Sequence, residues 1–291
     1  MIKISKELLL TPHKEYVHQL LSQSLMNSLL KTLEDPIEKH REITINIIDK
    51  LLDEINFEDK ILLSMLILSI INRLNKIPFA ETCKWVHLFN YKIIIAEELR
   101  LKLVNLFKKI LKKYPSEIKP HISELAKMLG IILKDQFPEI KVQVSQLISE
   151  LSKVMKDDLG NYTKQIIESL CLNMKHQHNK IRKISISSLV DLLLCNEAGN
   201  LIDECIPSLT IISNDKNKET RKIFLNKIAE LLKKLNSIYL KKYEGKLFVL
   251  LLSGISDDDM DNQQLAKNLI EEVGENIHKL EIELNKKEEK I

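Results

Sequence analysis

Glycine and proline are scarce: 6 and 7 residues in a chain of 291. So few turn formers leave little room for a sheet protein built from many short strands, and they exclude a collagen-like repeat. Aromatic residues make up only 5%, too few for the stacking platforms that hold single-stranded nucleic acid. An excess of one charge sign is missing too: 44 basic and 41 acidic residues leave a net charge of +3, which argues against a basic nucleic-acid-binding face. The longest apolar run, "ILLSMLILSII" at 61–71, is bounded by Lys60 and Arg73 and is eleven residues long. A bilayer span needs about 20, so the run reads as a buried helix. "MIKISKELLL" contains only a three-leucine run, which is no secretory h-region. The four cysteines, Cys83, Cys171, Cys195 and Cys205, form no paired framework, and reduced thiols in a cytosolic protein are expected.

What remains is abundant Leu, Ile, Lys and Glu, the composition of long helices joined by short turns. A spacing then recurs. Asp215 precedes Arg221 by six residues, Asp35 precedes Arg41 by six, and Asp135 precedes Lys141 by six. His176 stands six before Arg182, and Asp257 six before Gln263. Arg100 holds the same place relative to its apolar stripe without an acid before it. The markers at 41, 100, 141, 182, 221 and 263 are separated by 59, 41, 41, 39 and 42 residues. A period near forty is that of a helical-repeat solenoid.

The local pattern fits. After Asp215, the residues Phe224, Leu225, Ile228, Leu231 and Leu232 follow the 3-4 helical period. The acid falls in the turn before the helix, where a carboxylate can accept backbone N–H groups. The arginine in the first turns can pair with an acid of its own or a neighbouring turn. The reading is an all-α, HEAT-repeat α-solenoid of about six helix pairs. Second helices are expected near 37–55, 97–114, 138–156, 178–196, 217–235 and 260–275. A single array covers 1–275, and 276–291 forms a charged tail or capping helix. Asp35, Arg41, Arg100, Asp135, Lys141, Arg182, Asp215 and Arg221 form the expected ladder. Pro36 and Pro138 sit near the starts of second helices, where a missing N–H is harmless, and Pro207 is expected to kink a first helix. The stretch 75–95, with Trp85, is expected to add a turn or short helix to the second unit.

No chemistry stands out. Cys171, His176 and His178 lack a fourth ligand at usable spacing, and Cys83 with His87 read as packing beside Trp85. There is no nucleophile elbow and no phosphate loop, so an enzyme is not expected, nor is a cofactor. Two lysine groups, Lys108, Lys109, Lys112 and Lys113, and Lys233, Lys234, Lys241, Lys242 and Lys246, read first as solvated rims. The turns between paired helices present a more acidic edge. Candidate partner-surface residues are therefore His176, His178, Asp257, Asp258 and Asp259, with Lys233, Lys234, Lys241 and Lys242 on the opposite edge. Edges of unlike charge favour a protein partner.

Particular segments resemble a known family. "HQHNKIRKISISSLVDLLLCNEAGNLIDECIPSL" and "LLSGISDDDMDNQQLAKNLIEEVG" are similar to the HEAT-repeat axonemal dynein assembly factors, also called the HEAT repeat-containing protein 2 family. The shared features are the His-Gln-His turn before Arg182, the Leu-Leu-Ser-Gly end at Leu251–Gly254, the acidic turn Asp257–Asp259 and the close at Glu271–Gly274. "DPIEKHREITINII" and "EELRLKLVNLF" resemble earlier repeats in the same order. The resemblance implies a cytoplasmic, non-enzymatic scaffold or co-chaperone-like factor in preassembly of dynein arms for motile cilia. It implies axonemal dynein chains and cytosolic chaperones as partners, with neither nucleic acid nor membrane. Family members carry further repeats, and Lys141 and Gln263 depart from arginine at their markers. The rival readings are a tubulin-binding TOG-type HEAT array, a generic HEAT adaptor such as a phosphatase scaffold or transport receptor, and a HEAT-fold DNA glycosylase.

Overall fold

The structure, a computed structural model, describes residues 25–54, 56, 57, 59–75 and 97–288, without the side chains of 281 and 283–288. The stretch containing Cys83, Trp85 and His87 lies outside the described residues, as do 1–24 and 289–291.

The principal helices are α1 (Met26–Thr32), α2 (Glu38–Glu54), α3 (Lys60–Asn75), α4 (Glu97–Lys113), α5 (Ile122–Ile132) and α6 (Pro138–Val154). They continue with α7 (Lys164–Asn173), α8 (Asn179–Leu193), α9 (Ile202–Ser213), α10 (Lys218–Lys234), α11 (Ser237–Leu252) and α12 (Met260–Glu288). Odd-numbered helices are the first, and even-numbered the second, of each pair. The described residues contain no strand, and the fold is an all-α repeat solenoid. Single helical turns at Pro115–Ile118 and Lys156–Leu159 precede α5 and α7.

Packing divides the chain into two units, Met1–Val144 and Ser145–Ile291. In the first, α2 packs on α4 and α3 on α5, while α1 meets α2 and α3 meets α4. In the second, the even helices α8, α10 and α12 stack in series, the odd helices α7, α9 and α11 stack beside them, and each odd helix packs on its even partner. The apolar stripes are what is buried. In α3, the run flagged as a core helix places Leu63, Leu66, Ile67, Ile70 and Ile71 in the interior. In α10 the buried stripe is Phe224, Leu225, Ile228, Leu231 and Leu232. Each such side chain stabilises the fold by about 1.5–3 kcal/mol relative to exposure. None of the described helices is long and apolar enough to cross a membrane.

Small polar residues bridge the neighbouring helices α6 and α8. Ser188 donates from α8 to the Ser145 carbonyl at 2.7 Å, and Ser149 donates to Ser188 at 3.1 Å. Serine serves here because its short hydroxyl side chain reaches a carbonyl acceptor on the neighbouring helix. Pro138 opens α6 as its first residue, where the missing N–H costs nothing. The helix α9 continues from Ile202 to Ser213 through Pro207. The helix α12 runs unbroken past 275 to Glu288, and its buried face includes Leu269, Val273 and Ile277.

Candidate functional site: a ladder of buried arginines and a row of turns

The turn between paired helices has one design, repeated. Its first acid bends its carboxylate back to accept the N–H two residues on. Asp35 receives Ile37 N–H at 2.7 Å, Asp135 receives Phe137 at 2.9 Å, Asp215 receives Asn217 at 2.8 Å and Asp257 receives Asp259 at 2.8 Å. This is an Asx-type turn, in which an acid's short side chain replaces a backbone acceptor. The helix cap is a separate residue where one is present: Asn217 accepts Thr220 N–H at 3.0 Å at the start of α10.

Six residues after that acid, the marker side chain reaches back to the turn's own backbone. Arg41 Nη1 donates to the Asp35 carbonyl at 2.7 Å, Arg182 Nη1 to that of His176 at 2.8 Å and Arg221 Nη1 to that of Asp215 at 2.6 Å. The six-residue spacing places the guanidinium one to two helical turns in, where it can satisfy carbonyls that the helix leaves without partners.

The other edge of the guanidinium joins successive repeats. Arg100 grips Asp135 through Nε at 2.7 Å and Nη2 at 3.0 Å. Arg182 grips both oxygens of Asp215, Nη2 at 2.8 Å. Arg221 grips Asp257 through Nε at 2.7 Å and Nη2 at 2.8 Å. All three carboxylate side chains are 5% exposed or less. These are bidentate, buried pairs, strong in geometry because the planar fork matches the carboxylate. Arg100 also lies over the Phe137 ring at 5.2 Å.

Two markers differ. Lys141 donates to the Leu133 carbonyl at 3.2 Å, and burial pushes its pKa down. The next turn carries His176 in the acid's place, whose Nδ1 accepts the His178 N–H at 3.1 Å. A lysine has no planar fork and a histidine ring has no carboxylate oxygens, so neither residue type can make the bidentate pair. Gln263 donates to the Asp257 carbonyl at 2.6 Å, keeping the contact within the turn.

Asp257 was expected on the exposed acidic turn. It is 9% exposed and forms the last arginine–carboxylate rung. Its six-residue distance from Gln263 was the signal for that role. Its neighbour Asp258 stays exposed and touches Arg221, while Asp259 pairs with Lys218 at 2.9 Å. His178 is exposed and His176 half-buried, their rings 5.3 Å apart.

The lysine groups are largely engaged. Lys109 pairs with Asp49 at 2.5 Å and Asp53 at 2.9 Å, Lys233 with Glu272 at 2.8 Å, and Lys234 with Glu230 at 2.7 Å. Lys246 pairs with Asp203, and Lys242 lies over the Tyr243 ring at 4.7 Å. Lys241 is exposed. Cys171 meets Cys205 and Ser208. Among the described residues no cluster of three His, Cys, Asp or Glu side chains could hold a metal ion.

The rungs set a pH response. The Arg221 fork holds Asp257 well below the usual carboxylate range, at about 2. Burial alone would raise Asp215, but the Arg182 fork and the Asn217 N–H outweigh it and leave its pKa lowered. A depressed folded pKa means that the stabilisation is fully present above the unfolded value, near 3.9, and is lost as pH falls through the folded value. Stability is therefore expected to decline between about pH 4 and pH 2. Asp257→Asn should flatten that decline while lowering stability at neutral pH, as measured by urea unfolding across pH 2–7.

Paired helices, a forty-residue period and buried rungs between turns define a helical-repeat solenoid protein. Residues 2–288 match the family model described as dynein axonemal assembly factor 5-like, TPR repeats. The chain belongs to that family. Solved structures show the same architecture. An engineered protein is 11% identical with a TM-score of 0.59, over 87% of this chain and 98% of its own. A designed armadillo repeat protein in complex with a (KR)4 peptide is 15% identical with a TM-score of 0.55, over 85% and 99%. A computationally designed armadillo repeat protein for modular peptide recognition is 15% identical, again with a TM-score of 0.55, over 84% and 98%. At such identities the likeness concerns the fold alone. No curated protein matches.

Proposed function

We propose that this chain is a non-enzymatic scaffold in the cytoplasmic preassembly of axonemal dynein arms, holding incompletely assembled dynein chains alongside cytosolic chaperones. The observation that carries the reading is the family match over residues 2–288. The physical design supports it. Buried, bidentate rungs set the angle between successive repeats, so the turns form a preorganised row, and preorganisation lowers the ordering cost of binding. The exposed members of that row, His178 and Asp258, are the proposed contacts with the partner, and Lys241 and Lys242 form the opposite edge of the proposed surface.

The test is affinity purification of the tagged chain from cells building motile cilia. Recovery of axonemal dynein heavy chains with chaperones from cytoplasm is expected. His178→Ala combined with Asp258→Asn should reduce dynein recovery several-fold without lowering the melting temperature. Recovery of tubulin alone would replace this reading with that of a tubulin-binding array.

A further inference from the structure

The Arg182 and Arg221 rungs use both edges of the arginine. Nη1 bonds the carbonyl of its own turn, and the Nε/Nη2 edge holds a carboxylate. Arg41 has the first half only. Its Nη1 bonds the Asp35 and Pro36 carbonyls at 2.7 and 3.0 Å, yet its Nε has no partner among the described residues. Arg41 is nevertheless 3% exposed.

A second buried guanidinium lies within reach of its charge. Arg73, near the end of α3, is 4% exposed, and its Nε and Nη2 also lack partners among the described residues. Its contact with a carboxylate is Glu34 at 3.5 Å from Nη1, and Glu34 is 42% exposed. Burial lowers the Arg73 pKa, with the charge of Arg41 adding to the effect and Glu34 opposing it. Arginine cannot shed its charge at any physiological pH, so the strain has to be met by a counter-anion.

We propose that Arg41 and Arg73 form a binding site for a carboxylate carried by an acidic segment of a protein partner. The shape argument comes from the chain itself. The Nε/Nη2 edge that holds Asp135, Asp215 and Asp257 in the other rungs is the edge left open in Arg73, and half open in Arg41. A guanidinium fork holds both oxygens of a carboxylate, and two of them within each other's field favour clustered Asp and Glu over isolated ones. A free oxyanion such as phosphate offers the same oxygens without the chain.

The experiment uses the full chain and a fluorescent hexaglutamate peptide, followed by anisotropy at fixed ionic strength, with inorganic phosphate as competitor. Saturable binding is expected, and Arg73→Gln should weaken it at least about 10-fold, the worth of one lost charge-assisted contact. Lys267→Gln, a change of the same charge at an exposed position on α12, should leave it within about 2-fold. Displacement of the peptide by millimolar phosphate at matched ionic strength would make the site one for free oxyanions and overturn the peptide assignment. A fold control separates occupancy from collapse. Without ligand, Arg73→Met removes an uncompensated buried charge and should raise the melting temperature. A fall of several degrees in Arg73→Met would show that the chain fills the site itself and would overturn the proposal. So would peptide binding that Arg73→Gln leaves unchanged.

Discussion

Asp215→Ala is expected to destabilise the repeats on either side of its turn by about 3–5 kcal/mol, the cost of stranding a buried partner charge. The carboxylate side chain is 5% exposed and Arg182 8%, so water cannot replace the lost pair. The substitution also frees the Asn217 N–H, which the carboxylate accepts at 2.8 Å. The double replacement Arg182→Met with Asp215→Leu should recover most of the loss, because it removes both charges together. A double-mutant cycle by urea unfolding then measures the coupling. Hydrogen exchange in α8 and α10 localises it, which matters because repeat arrays can open unit by unit. A loss below about 1 kcal/mol in Asp215→Ala would show that the rung is solvated and does not set the stacking.

Gly160→Ala is expected to cost more than the roughly 1–3 kcal/mol usual for overpacking. A Cβ at Gly160 would lie 1.4 Å from the Asn196 carbonyl oxygen and 2.5 Å from its carbon. Both are backbone atoms, so no rotamer change relieves the overlap. The two loops are also tied by Asn196 N–H to the Lys156 carbonyl at 3.2 Å and Asn196 Nδ2 to Asp157 at 2.7 Å. These are the connections between repeats, stacked one on the next. Gly160 has no positive φ, so alanine fits the local backbone and the cost is purely the loss of that stacking. Gly199→Ala is the comparison: its nearest obstacle is the Tyr239 ring at 2.4 Å, a side chain that can swing aside. Thermal unfolding should show the larger drop at Gly160. Equal drops would place the cost in the glycine backbone and not in the contact.

The physical reason for what could be read early is periodicity. Helical stripes repeat every three to four residues, so the α10 stripe from Phe224 to Leu232 identifies its helix without any tertiary knowledge. The acid-to-base spacing works for a similar reason. It is a distance within one turn, and the bond from the Arg221 Nη1 to the Asp215 carbonyl spans those six residues. Gly160 and the Arg41–Arg73 convergence could not be read in this way. Their partners lie in other helices or loops, and no local spacing encodes them.

Asp257 shows the boundary most clearly. In "SDDDM" the three consecutive acids look alike in residue type, and all three read as an exposed edge. The six-residue distance to Gln263 marks Asp257 among them, but its burial comes from packing under the Arg221 fork, which leaves Asp258 exposed.

The sequence by itself determined the helices, the period near forty and the turn positions, because each depends on residues close along the chain. The tertiary structure alone decided which acid each arginine holds. Arg182 and Arg221 bond the backbone of their own turns but take carboxylates 33 and 36 residues further on, and Arg100 takes one 35 residues on. The reason lies in direction. A turn's own Asp is bent back onto the N–H two residues on, leaving its carboxylate open to the preceding repeat, while its backbone carbonyl faces its own arginine.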